Sequence, residues 1–126
     1  MEKKKHIETE QNPLISIITP LYNAQNFITE TISSIQNQTY SNWEVFIIDD
    51  FSTDFSPQIV EKLELIDTRI HFIRNAVNKG AAFCRNLGTE LAKGEYIAFL
   101  DADDLWHEEK LEKQLRFMQV HDCDVS

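Results

Sequence analysis

The chain has 126 residues, 42% of them hydrophobic, with 21 acidic against 12 basic side chains and a formal net charge of -9. That size suits one compact domain with a single core. The acidic balance excludes a sequence-independent nucleic-acid binder, which needs a basic face for phosphates, so an anionic ligand here would call for local cations or a metal ion.

Residues 1–12, MEKKKHIETEQN, are charged and have no apolar run behind the lysines. They predict a mobile tail and not a secretory signal. The Lys3–Lys5 run lies among Glu2, Glu8 and Glu10, which limits membrane contact to a peripheral one at most. No stretch approaches the ~18 consecutive apolar residues of a membrane span.

Residues 13–126 form the predicted domain, in which two periodicities alternate. Short runs rich in Ile, Val and Phe suit strands buried on both faces: Leu14–Ile18, Val45–Ile48, Ile70–Ile73 and Tyr96–Leu100. Between and after them the apolar spacing turns helical, with stripes at Ile28/Ile32/Ile35, Ile59/Leu63/Ile66, Cys84/Leu87/Leu91 and Leu111/Leu115/Met118. Ser56 before Pro57 fits an N-cap followed by proline at the first helical position. The order β-α-β-α-β-α-β-α implies a parallel sheet with helices on both faces and right-handed crossovers. A fifth strand is expected to begin at Asp124-Val125-Ser126. Cys84 and Cys123 stand in no metal or disulfide spacing and are expected as free thiols of a reducing compartment.

In open α/β sheets ligands bind outside the carboxyl ends of the strands. The four predicted strands run into Thr19-Pro20-Leu21-Tyr22-Asn23, Asp49-Asp50-Phe51-Ser52-Thr53-Asp54, Arg74-Asn75 with Asn78-Lys79-Gly80, and Asp101-Ala102-Asp103-Asp104. All four exits are polar and two are dense in carboxylates, although Asp54 and Asp104 also suit helix caps. Asp101 and Asp103, alternating as they leave a strand, can turn two carboxylates toward one hard cation such as Mg²⁺ or Mn²⁺. The segment from Asn78 to Asn86 opens a helix with glycine, so its N–H groups, Lys79 and Arg85 form a candidate anion site beside the alternative of a solvated helix start.

Together the stretches ISIITPLYNAQNFITETISSIQNQTYSNWEVFIIDDFSTD and NKGAAFCRNLGTELAKGEYIAFLDADD resemble the family 2 glycosyltransferases of GT-A fold. The resemblance covers Pro13 to Asp124. It implies a Rossmann-like, mostly parallel sheet that stops before the acceptor-binding half, and a nucleotide-diphosphate sugar as donor, commonly a uridine one. By position, Thr19, Pro20 and Tyr22 match the loop lining the base pocket, and Asp50 matches the carboxylate that recognises the base. Asp49 precedes it and orients the loop. Arg85 matches a donor-contacting residue. Asp101 matches the first acid of the DxD motif, near the ribose, and Asp103 the acid that coordinates Mn²⁺ or Mg²⁺ at the diphosphate. Phe51 stands where the family has glycine, which would strain a turn requiring positive φ.

The family reaction displaces the diphosphate at the anomeric carbon with inversion, a general base taking the acceptor hydroxyl proton. The base belongs to the acceptor half, so this chain is expected to bind donor and metal and to turn over little. The implied acceptor is a polysaccharide or lipid-linked sugar in bacterial surface or wall polymer synthesis, reached from the cytoplasm or the inner face of the membrane. Three other classes are weighed, the first of them the more serious alternative and the other two fitting less of the pattern. A non-catalytic sugar-nucleotide-binding module shares every motif. A receiver-type signalling domain would place its acidic pair after the first strand. A nucleotidyltransferase would carry a glycine-rich basic loop where Leu21-Tyr22-Asn23-Ala24 stands.

Overall fold

The computed structural model describes residues 1–3 and 12–121. In chain order the elements are β1 (Glu2–Lys3), β2 (Ile15–Leu21), α1 (Ile28–Gln36), β3 (Trp43–Asp49), α2 (Ser56–Ile66), β4 (Ile70–Arg74), α3 (Ala81–Leu91), β5 (Tyr96–Phe99) and α4 (Lys110–His121). The strands form one sheet in the order β1-β5-β2-β3-β4. All pairings among β5, β2, β3 and β4 are parallel, and β1 runs antiparallel to β5.

The β-α alternation of the domain is as the periodicity predicts; the N-terminal edge is not. Residues 1–3, expected in a mobile tail, lie along β5 with Glu2 opposite Ile97 and Lys3 opposite Tyr96. The Lys3 ammonium stands 3.9 Å from the Glu95 carboxylate. Cys123 and the expected strand at Asp124–Ser126 lie outside the described residues, as do Lys4 and Lys5.

Right-handed crossovers decide which face each helix covers. From β2 through β3 to β4 the chain moves one way across the sheet, so α1 and α2 share a face. To reach β5, on the far side of β2, it must reverse, which places α3 on the opposite face. Two apolar clusters show this. One gathers Ile17, Val45 and Ile47 of the sheet with Ile28, Ile32 and Ile35 of α1, Val60 of α2 and Leu111, Leu115 and Met118 of α4. The other gathers Ile18, Phe46, Ile48 and Ile97 with Cys84 and Ala92 around α3. Gly88 of α3 lies so close to the sheet that a Cβ there would collide with Ile18 Cγ2.

Two predicted stripes shift by a residue. In α2 the buried contact is Val60, supported by Ile59 and Leu63, and Ile66 is exposed because the helix ends there. In α3 Leu91 is largely exposed, and Ala92 takes the inward position. Ser56 is the first residue of α2 and not its cap; the Asp54 carboxylate accepts its N–H at 2.9 Å and does the capping. Asp104 caps nothing, since α4 begins only at Lys110.

Candidate functional site

Reversal of strand order between β2 and β5 creates a switch point, and the crevice outside the carboxyl ends there is where ligands of open α/β sheets bind. A cavity of about 320 Å³ opens there. From the end of β2 and the loop after it come Pro20, Tyr22, Asn23 and Phe27, from the β3 exit Asp50, from α3 Arg85, and from the β5 exit Asp101 and Asp103. Six of the nine residues picked from the sequence thus share one wall: Pro20, Tyr22, Asp50, Arg85, Asp101 and Asp103.

Thr19, Asp49 and Lys79 do not line it. Thr19 and Asp49 belong to β2 and β3 and are buried within the sheet. Thr19 is buried, and its hydroxyl has no hydrogen-bond partner. Asp49, fully buried, faces the Arg74 guanidinium with Oδ2 at 3.2 Å and accepts the Ser52 N–H with the same oxygen. These contacts tie the end of β3 to the loop that follows it and to Arg74. The Lys79 ammonium sits 4.5 Å from the Phe83 ring centre.

The expected anion site at the start of α3 is filled by the protein itself. Asp50 Oδ1 accepts the Lys79 N–H at 2.7 Å and Oδ2 the Gly80 N–H at 2.9 Å, while Asn75 Nδ2 donates to Oδ1 at 3.0 Å. Burial pushes the Asp50 carboxyl up, but these three donors, together with a side-chain hydrogen bond from Cys84, outweigh it and hold the group below its ordinary value. Asn75 also reaches Cys84 Sγ at 3.5 Å. That thiol is raised by burial and by the nearby Asp50 charge. Gly80 stands at φ 93°, a backbone region that only glycine enters without strain.

Arg85 and Asp101 meet across the cavity mouth, Nη2 to Oδ1 at 3.4 Å, both substantially exposed. Asp103 is exposed beside them. Among the described residues no group of three or more His, Cys, Asp or Glu side chains could hold a metal ion unaided. Two carboxylates on a cavity wall do fit a Mg²⁺ or Mn²⁺ ion that takes its remaining ligands from phosphates and water.

Asn23, Asn75 and Ser52 are further contributors to which the sequence pattern assigned no role. Their only signal was position, directly after a strand end. Phe51, in the glycine position, adopts φ 66°, so the turn does require the left-handed region.

The fold and the cavity at its switch point define an α/β domain of GT-A type. The chain belongs to glycosyl transferase family 2, whose family model matches residues 16–126. It is 48% identical over 118 residues to the putative teichuronic acid biosynthesis glycosyltransferase TuaG of Bacillus subtilis, covering 94% of this chain and 47% of that protein. It is 48% identical over 105 residues to the Escherichia coli UDP-Glc:alpha-D-GlcNAc-diphosphoundecaprenol beta-1,3-glucosyltransferase WfgD, covering 83% of this chain and 41% of that one. Among solved structures, S. aureus TarS 1–349 in complex with UDP superposes with a TM-score of 0.79 at 33% identity, covering 86% of this chain and 32% of that chain. The Pyrobaculum calidifontis mannosyltransferase PcManGT in complex with GDP-Man and Mn²⁺ shares the fold, with a TM-score of 0.79 at 24% identity over 94% of this chain and 34% of that chain. The chain spans about half the length of the curated relatives it matches.

Proposed function

We propose that this chain supplies the donor site of a glycosyltransferase that uses a nucleotide-diphosphate sugar in bacterial cell-surface or cell-wall polysaccharide synthesis. The observation that carries the proposal is the convergence of Asp50, Arg85, Asp101 and Asp103, from three separate elements, on one cavity. TuaG and WfgD support the product class, since their names place them in teichuronic acid synthesis and in glucosyl transfer to a lipid-linked sugar. TarS, solved with UDP and with UDP-GlcNAc, supports a uridine donor.

Asp50 supplies a chemical reason for base selection. A carboxylate offers about four acceptor positions, and three are taken by Lys79, Gly80 and Asn75. Cys84 adds a side-chain hydrogen bond to the same carboxylate, so a ligand N–H would share an acceptor oxygen or displace the thiol. An ionised carboxylate only accepts, so it suits a base edge presenting an N–H, such as uracil N3–H, and opposes the bare N3 of cytosine. Tyr22 and Pro20 wall the base; Arg85 offers its fork to phosphate. A divalent ion held by Asp103 and Asp101 would offset the charge that develops on the departing diphosphate.

In the transfer, the acceptor oxygen bonds to the anomeric carbon as the bond to the diphosphate oxygen breaks, and the hydroxyl proton passes to a base. The cavity's own carboxylates have other partners: Asp50 its hydrogen-bond donors, Asp101 the Arg85 guanidinium, and Asp103 the divalent ion it would hold. Donor binding, and not proton removal, is therefore the part assigned to these residues, and the chain alone is expected to turn over little. No helix among the described residues is long and apolar enough to cross a membrane.

The test is a titration with UDP, GDP, CDP and ADP, each with and without Mn²⁺. UDP should bind most tightly and more tightly with the ion. Equal affinity for all four, indifferent to Mn²⁺, overturns the assignment.

A further inference from the structure

The loop after β2 and the loop after β3 are bound together more densely than their lengths require. Asn23 Oδ1 accepts the N–H groups of Thr53 at 2.8 Å and Asp54 at 3.3 Å, and the Asn23 N–H donates to Ser52 Oγ at 2.9 Å. Next along, Ala24 N–H reaches Ser56 Oγ at 2.9 Å, Gln25 N–H reaches Asp54 Oδ2 at 3.1 Å, and Phe55 N–H reaches Gln25 Oε1 at 3.0 Å. Asn23 makes these contacts from φ 46°, a conformation in which asparagine is favoured over most side chains.

Each bound segment continues directly into the cavity wall. Tyr22 precedes Asn23, and Asp50 stands two residues before Ser52. The carboxamide is therefore the joint between the half-exposed rim at Tyr22 and the buried acceptor at Asp50. We propose that Asn23 is a positioning residue that holds these two groups at the separation that accepts a nucleotide base. Asn23 itself lines the cavity beside Tyr22, but its carboxamide oxygen is taken by the loop after β3, so its part is to set where Tyr22 and Asp50 stand. The proposal rests on the donor-site reading above.

Three substitutions separate its parts. Asn23→Gly keeps the left-handed backbone and removes the acceptor; Asn23→Ala removes both; Asn23→Asp keeps Oδ1 and the backbone preference. UDP and CDP affinities, measured by calorimetry with Mn²⁺ on protein verified as folded, are the readout. Asn23→Gly and Asn23→Ala should weaken UDP binding by about tenfold or more and shrink the UDP-over-CDP preference, while Asn23→Asp should stay within about threefold of the parent. Ser52→Ala, which leaves the carboxamide intact and removes the partner of the Asn23 N–H, should lose about threefold. Unchanged UDP affinity and preference in a folded variant that lacks the carboxamide, Asn23→Gly or Asn23→Ala, overturns the role of Asn23, and an unchanged Ser52→Ala removes the Asn23 N–H from it. An Asn23→Asp variant as impaired as Asn23→Ala also overturns that role. A parent that binds no nucleotide brings down the donor site itself, a distinct result.

Discussion

Asp50 and Gly80 are joined by a hydrogen bond of 2.9 Å from the glycine N–H to Oδ2, tying the end of β3 to the first turn of α3 across 30 residues of sequence. A helix N-terminus favours negative charge, and here the chain provides its own. The same carboxylate lines the cavity, so site and helix placement depend on one group.

Removing that group should therefore have two effects. Asp50→Ala leaves the Lys79 and Gly80 N–H groups and the Asn75 amide without their acceptor. Urea denaturation should show a loss of about 2–4 kcal/mol, and UDP binding should weaken in the folded fraction. Undiminished stability would show that water satisfies the freed donors.

Gly80→Ala tests the backbone alone. A Cβ there would meet nothing within 4 Å, yet φ is 93°. The cost is conformational, about 1–3 kcal/mol by the same denaturation measurement. A neutral substitution would mean that this turn relaxes freely.

Phe51 gives the opposite sign. It holds φ 66° with its ring about half exposed. Glycine relieves about 1–2 kcal/mol of left-handed strain and returns about 0.5–1 kcal/mol as backbone entropy. Phe51→Gly should raise stability by about 0.5–1 kcal/mol, and Phe51→Ala, which keeps the strain, should not. An equal fall in both variants would assign the aromatic ring a packing role that outweighs the strain.

Acid stability should carry the signature of Asp67. Both nitrogens of an Arg69 fork lie 3.1 Å from its oxygens, and this pairing lowers the carboxyl from 3.8 to about 2. A folded-state value below the unfolded one contributes stability that is full above about pH 4 and is lost as pH falls through about 2. Denaturation of the parent and of Asp67→Asn between pH 2 and 6 should differ most at the upper end and converge at the lower. A constant difference across that range would contradict the pairing.

For the metal, Asp103→Ala should abolish the Mn²⁺ enhancement of UDP binding while leaving a weaker, ion-independent affinity from Asp50 and Tyr22. Retention of the enhancement would move the ion away from Asp103.

Local pattern carried the elements and their order. Period 2 and period 3.6 record which side chains are buried, and burial is what Ile17, Val45, Ile32 and Leu115 were chosen for. It also marked Asp50, Asp101 and Asp103 at strand exits and Arg85 on the following helix, and these four line one cavity. What tertiary structure alone decided was pairing at a distance. No periodicity says that β5 lies beside β2 and not β4, that Met1–Lys3 covers the β5 edge, or that Asp50 spends three acceptor positions on α3 and Asn75. Those facts depend on which exits the crossovers bring together. A hydrogen bond between residues 30 apart leaves no trace in the local spacing of either.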